Sequence, residues 1–207
     1  MQTVRHIFNT ILTLIFPLRD TGRVVEQATP EALGYLVNPV TLDGGITGLL
    51  PYRHPLVRAL IIETKFHKNK KATALLADVL NDYLVSFSED QLPFRKVPYV
   101  VVPIPLGAER RKERGYNQTE EVVRGTSFTF DASLLERIRE TKQQTSLARK
   151  ARLENMIGAF HVRKPVQEHV VYIVLDDVTT TGATLQEACK TLREAGAREV
   201  YGIALAH

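Results

Sequence analysis

The hydrophobic pattern is dominated by runs that lack polar alternation. Val171 to Leu175, "VYIVL", is five apolar or aromatic residues in a row. Tyr99 to Leu106, "YVVVPIPL", is a second run, halted by prolines. Continuous apolar strands suit a parallel sheet covered on both faces. After the first run, Leu185, Ala188, Cys189, Leu192 and Ala195 mark one face of a helix, and Gly196 is placed to end it. "EVYGIALA" then reads as a last strand. Strand, loop, helix, strand is a βαβ unit, and it implies parallel pairing.

Upstream, the pattern predicts helices over 56–64 and 72–84, joined by "KFHKNKK". Residues 17–54 are rich in Gly and Pro. They read as short strands with turns at Asn38-Pro39 and Asp43-Gly44-Gly45. Ile7, Ile11, Leu14 and Ile15 fall at helical spacing. Residues 137–155 are polar and basic, ending in a predicted helix over 147–156. The expectation is a doubly wound, mostly parallel α/β sheet over 55–207, preceded by an N-terminal helix and small hood over 1–54.

Composition changes this picture little. The 207 residues are 44% hydrophobic and 24% charged, enough for a packed core. The net charge of +4 fits an anionic ligand or nucleic acid without choosing between them. A single cysteine, Cys189, excludes an intrachain disulfide and a cysteine-only zinc site, and a reducing cytoplasm is the natural compartment. Cys189 lies on an apolar helix face and is expected to be inert. His6, His54, His67, His161, His169 and His207 show no ligand spacing, so no zinc is expected. The apolar stretch 7–18 is shorter than the roughly 20 residues a membrane span needs, and no small-residue cleavage site follows it. No membrane association is expected.

The chemistry begins where the strand does not stop as packing would dictate. Asp176 and Asp177 follow Leu175 directly, and "TTTGAT" follows them into the helix. In open α/β sheets ligands bind beyond the carboxyl ends of strands. Amides at a loop-to-helix turn cradle phosphate, helped by the helix dipole. Gly182 allows close backbone approach, while Thr180, Thr181 and Thr184 offer short hydroxyls. Carboxylates beside such a cradle suit a sugar phosphate, the acids accepting from a vicinal diol. Both acids are expected to face solvent, with the chain leaving the strand there. The competing reading is a solvated loop after a strand. G-x-x-x-x-G-K-[ST] and G-x-G-x-x-G are both missing, which counts against ATP and dinucleotides. The turn "GAERRKERGYNQ" supplies Arg114 as an anion ligand; Arg110, Arg111 and Lys112 read equally well as solvated. Residues 137–152 hold Arg137, Arg139, Lys142, Arg149, Lys150 and Arg152 against Glu140, and read as a lid, a solvated helix face or a nucleic-acid patch.

"VYIVLDDVTTTGATL" resembles the phosphoribosyl-pyrophosphate (PRPP) motif of type I phosphoribosyltransferases. "VVPIPLGAERRKERGYNQTEEV", "LERIRETKQQTSLARKARLENMIGAF" and the helix end "LVRALIIETKF" are similar to the ComF-type branch of that family. The likeness covers roughly residues 50–207. It implies that Asp176 and Asp177 hold the ribose hydroxyls, and that Thr179, Thr180, Thr181, Gly182, Ala183 and Thr184 hold the 5′-phosphate. Leu106 and Gly107 with Arg114 would frame pyrophosphate. Arg139 and Lys142 would act from a lid. Mg²⁺ would arrive on PRPP, near Asp176 and Asp177, rather than in a cage of protein ligands. The activity implied is pentosyl transfer to a nitrogenous acceptor with release of pyrophosphate. The alternative is a non-catalytic module that binds PRPP or single-stranded DNA in DNA uptake. Oligomeric state stays open, a dimer being one option. One departure is plain: where that branch carries the cysteines of a small zinc module, "FPLRDTGR" has Asp20 and Arg23.

Overall fold

The computed structural model describes residues 19–91, 97–139 and 156–207. Two short helices open it, α1 (Asp20–Gln27) and α2 (Pro30–Gly34). A hairpin follows, β1 (Val40–Leu42) and β2 (Ile46–Leu50), turning through Asp43–Gly45. Next come α3 (Pro55–His67), α4 (Lys70–Gln91) and β3 (Tyr99–Pro103). Then α5 (Ala108–Arg114), α6 (Gln118–Arg124), β4 (Leu135–Arg137) and β5 (Phe160–Val162). The chain closes with β6 (Val171–Val178), α7 (Ala183–Glu194) and β7 (Glu199–Ala206).

The main sheet has the order β1-β2-β7-β6-β3. β2, β7, β6 and β3 are mutually parallel, and only β1 pairs antiparallel. The expected α/β class with a mostly parallel sheet is therefore observed. Alternation along β6 explains its unbroken apolar run. Val171, Ile173 and Leu175 enter one core with Leu60, Leu76 and Leu80 of α3 and α4. Tyr172 and Val174 enter a second core with Leu185, Cys189 and Leu192 of α7. Gly202 of β7 sits where the second layer closes tightest: a Cβ there would lie 2.5 Å from Ile46 Cδ1 and 3.2 Å from Cys189 Sγ. Cys189 lies in the core, and burial pushes its thiol up to about 12.

The segment before residue 55 differs from its reading as strands and turns alone. Asp20–Gln27 and Pro30–Gly34 form helices, and Asp20 and Arg23 lie on α1. The start of α2 is locally encoded: Thr29 Oγ1 accepts from the Ala32 amide at 3.2 Å and Pro30 occupies the first turn. The hairpin turn is where Asp43-Gly44-Gly45 placed it, with both glycines near φ +72. β2 is hydrogen-bonded to β7, so the described part of 1–54 is continuous with the main sheet.

The linker "KFHKNKK" is nearly all helix. α3 runs on to His67 and α4 starts at Lys70. Lys68 ends α3 in the left-handed region at φ 50, and Asn69 Oδ1 caps α4 by accepting from the amides of Lys71 and Ala72. Charge had disguised this junction as a loop. "GAERRKERGYNQ" is likewise not a turn but α5, closed by Gly115 at φ 71, followed directly by α6. The helix expected over 147–156 lies outside the described residues except for Met156.

Candidate functional site

The parallel pairing of β3 and β6 brings their carboxyl ends to one edge of the sheet. β6 does not end at Leu175. It pairs with β7 through Val178, so Asp176 and Asp177 are strand residues. Successive strand side chains face opposite ways, and the two acids therefore occupy different environments.

Asp177 shares the face of Ile173 and Leu175, toward α3 and α6. It is buried, 6% exposed. Lys65 Nζ of α3 donates to its Oδ2 at 2.9 Å, and Gln118 Nε2 of α6 donates to the same oxygen at 2.8 Å. Its Oδ1 accepts from the Val178 amide at 2.7 Å. Arg114 Nη1 donates to Gln118 Oε1 at 3.1 Å, which extends the network to the end of α5. The expectation that both acids face solvent is thus corrected for Asp177: strand continuation turns it into the α3–α6 layer, where a buried carboxylate requires partners.

The same network explains the stretch "RGYNQ". Gly115 supplies the left-handed turn that ends α5. Tyr116 donates its hydroxyl to the Thr64 carbonyl at 2.5 Å. Asn117 caps α6 through Thr119 N at 3.2 Å, and its Nδ2 donates to the Ile104 carbonyl at 2.9 Å beyond β3. With Gln118, which bonds Asp177, Tyr116 and Asn117 tie the start of α6 to α3, to the chain after β3 and to the end of β6.

Asp176 faces the other layer and is half-buried. Its Oδ1 accepts from the Asp177 amide at 2.9 Å. Burial first, then the neighbouring Asp177 carboxylate, raise its pKa to about 7; Lys65 and Arg137 pull the other way. A carboxyl poised between its two forms near neutral pH is suited to accept from a hydroxyl or to meet a cation.

The loop after β6 is held from within. Thr179, 6% exposed, bonds its own amide to Ala206 O at 2.9 Å, and its Oγ1 accepts from the Gly182 amide at 3.0 Å. Gly182 precedes α7 at φ +73, and a Cβ would meet Ile46, Asp43 O and Gln186 within 3.3 Å. Gln186 Nε2 in turn donates to Asp43 O at 2.9 Å and Thr181 O at 3.3 Å, tying the loop to the β1–β2 turn. Thr180 is exposed, Thr181 and Thr184 are half-buried, and Ala183 is buried. The Ala183 amide reaches Thr181 Oγ1 only at 3.5 Å. First-turn amides of a helix have no intrahelical carbonyl to bond, so the start of α7 presents donors on the layer that Asp176 faces.

Of the remaining predicted residues, Leu106 is half-buried and Gly107 is buried at the head of α5. Arg114 is half-buried. Its guanidinium carbon lies 5.1 Å from the Phe66 ring centroid, and burial lowers its pKa against the opposing pull of Asp177. Arg139 is exposed just past β4. Lys142 and the rest of the basic segment beyond Arg139 lie outside the described residues. Arg137, on β4, is the basic residue of that segment whose charge bears on Asp176. Sequence reasoning had not singled out Lys65 or Gln118 as site residues. Each lies in a quoted motif, but only the fold shows that both converge on Asp177.

A mostly parallel sheet carrying an acid pair at one strand end, followed by a threonine-glycine turn into a helix, is the arrangement that the resemblance to type I phosphoribosyltransferases implies. The chain is a homologue of ComF-type competence and DNA utilization proteins. It is 31% identical over 152 residues to the DNA utilization protein YhgH of Salmonella typhi, covering 70% of this chain and 65% of that one. It is 35% identical over 119 residues to competence protein F of Haemophilus influenzae, covering 54% and 52%. It is 35% identical over 127 residues to competence protein ComFC of Streptococcus pneumoniae, covering 61% and 56%. The chain thus spans between about half and two thirds of these relatives' length. No protein-family model matches it. Among solved structures, a hypoxanthine phosphoribosyltransferase from Staphylococcus aureus is similar at TM-score 0.35 and 14% identity, covering 64% of this chain and 61% of that one. An allosteric regulatory enzyme of purine biosynthesis is similar at TM-score 0.40 and 16% identity, covering 70% and 30%. At those scores the strand order and the loop carry the fold assignment. Among the described residues no helix is long and apolar enough to cross a membrane.

Proposed function

We propose that the chain binds PRPP at the loop between β6 and α7 and transfers its phosphoribosyl group to a nitrogenous acceptor, releasing pyrophosphate. The observation that carries this reading is the half-buried Asp176 at the mouth of a phosphate-type loop, held rigid by Thr179, Gly182 and Gln186. Asp176 accepts a ribose hydroxyl. The amides and hydroxyls from Thr180 to Thr184 hold the 5′-phosphate. Asp177, already bonded to Lys65 and Gln118, orients the strand end rather than the ligand. Leu106 and Gly107 with Arg114 frame pyrophosphate, and Arg139 with Lys142 meets the charge that builds on the leaving group.

In such a transfer the anomeric carbon loses pyrophosphate through an oxocarbenium-like state, so positioning and electrostatics supply the rate. Among the described residues no three His, Cys, Asp or Glu cluster as metal ligands. Asp176 contributes one oxygen-donor side chain, which fits a metal carried by the ligand. When bound with PRPP, Mg²⁺ would neutralise the pyrophosphate oxygens.

The test is thermal melting with PRPP and Mg²⁺. A ligand at about 100 times its dissociation constant stabilises the native state by roughly 2.7 kcal/mol. An upward shift is expected, and its absence at millimolar PRPP would sink the reading. A second reading, participation in DNA uptake, is favoured by relatives named for competence and DNA utilization. It predicts single-strand binding that weakens steeply with salt.

A further inference from the structure

Outside the β6–α7 loop, the described residues line an open cleft of about 510 Å³ between the C-terminal end of α3 and the end of α5. Its volume is within the range of small-molecule sites, roughly 300–1,000 Å³. Arg19, Lys65, Lys68 and Arg114 line it against one carboxylate, Glu113. The wall is therefore cationic, and the surplus outweighs the partial negative charge at the end of α3.

Two rings share the wall. Phe66 is 57% exposed, unusual for a large apolar ring. Tyr116 is fixed by its hydroxyl bond to the Thr64 carbonyl. Each ring carries a cation: Arg114 on Phe66 at 5.1 Å and Lys68 on Tyr116 at 4.8 Å. Lys68 holds its place at φ 50, and it is the sole non-glycine residue with positive φ among the described residues. Glycine or asparagine would occupy that conformation at less cost. Cations and exposed rings on one concave wall recognise an anion joined to a flat ring.

We propose that this cleft binds a nucleoside phosphate, with the base on Phe66 and the phosphate between Lys68 and Arg19. The occupant is a free nucleotide or one unit of a single strand, and both present the same chemistry. The site adjoins the phosphoribosyl loop and shares Arg114 with the proposed pyrophosphate frame, but it does not require that transfer occurs. Lys65 and Arg114 line the cleft and also belong to the Asp177 network, so the two sites are neighbours.

The experiment is equilibrium dialysis of the full chain, at low salt, with labelled thymidine 5′-monophosphate. Thymidine and inorganic phosphate serve as partial ligands. The nucleotide should bind at least about tenfold more tightly than either fragment, and Phe66→Ala should weaken it about five- to tenfold. Lys68→Gly should weaken it comparably while relieving the positive φ, so loss of binding in that variant is not a folding defect. Asp176→Asn, which disables the loop reading, should leave nucleotide binding intact. A short oligothymidylate that binds more tightly than the mononucleotide, through the same two residues, assigns a strand; equal affinity assigns a free nucleotide. No binding at millimolar nucleotide overturns the proposal. So does binding that Asp176→Asn abolishes and that Phe66→Ala and Lys68→Gly leave unchanged, since the nucleotide would then sit in the β6–α7 loop.

Discussion

Asp176 and Asp177 are adjacent, chemically identical and differently employed. Asp177 is 6% exposed and meets Lys65, Gln118 and the Val178 amide, binding α3 and α6 to the strand end. Asp176 is half-buried, meets the Asp177 amide, and is raised to about 7 by burial and by its neighbour. The strand's two-residue period separates them. Had β6 stopped at Leu175, both acids could have turned to one ligand. Because pairing with β7 continues to Val178, Asp177 turns into the α3–α6 layer and Asp176 faces the α7 layer, where we propose it meets the ligand. A repeated residue in a motif is therefore not evidence of a repeated role.

The contrast can be broken most forcefully on the buried side. Asp177→Ala leaves Lys65 and Gln118 facing a void, and about 3 kcal/mol of stability should be lost in urea unfolding. A loss near zero would mean that the network is decorative. Lys65→Met removes one partner while keeping its stem, and about 2 kcal/mol should go. A smaller effect is expected at the loop: Gly182→Ala must hold φ +73 with a Cβ against Gln186, for about 1–2 kcal/mol. Its PRPP affinity should fall as well, and unchanged affinity would detach the loop from the ligand.

The mildest change sharpens the Asp176 side. Its folded pKa lies above the ordinary 3.8. The carboxyl is thus neutral in both states at low pH. As pH rises from about 4 through about 7, the unfolded chain ionises first and stability is lost. Asp176→Asn abolishes that loss. It should match the native chain near pH 4 and exceed it near pH 8 by about 1 kcal/mol, after discounting for solvent screening. Parallel pH curves would show that Asp176 titrates as an ordinary surface acid.

Much of this was legible in the residues. The unbroken apolar runs fixed β3 and β6, the helical stripe fixed α7, and the acid pair with its threonine-glycine turn located the loop. The misreadings have physical causes. Charge concealed helix at "KFHKNKK", where the polar ends of α3 and α4 carry no apolar stripe, and at "GAERRKERGYNQ", where α5 is short and has no buried residue. The end of β6 was set by pairing with β7, a contact some thirty residues away that no local pattern reports. Lys65 and Gln118 stand more than fifty residues apart, and only sheet order brings both to Asp177.

The most direct test of the division of labour is calorimetric titration of PRPP with Mg²⁺ near pH 8 into three chains: native, Asp176→Asn and Asp177→Asn. The native chain should bind. Asp176→Asn should lose at least about tenfold in affinity at unchanged or higher melting temperature, the scale of one charge-assisted hydrogen bond. Asp177→Asn should melt lower, yet keep most of its affinity at a temperature where it remains folded. Affinity that survives in Asp176→Asn and vanishes in folded Asp177→Asn would reverse the two roles and contradict the account.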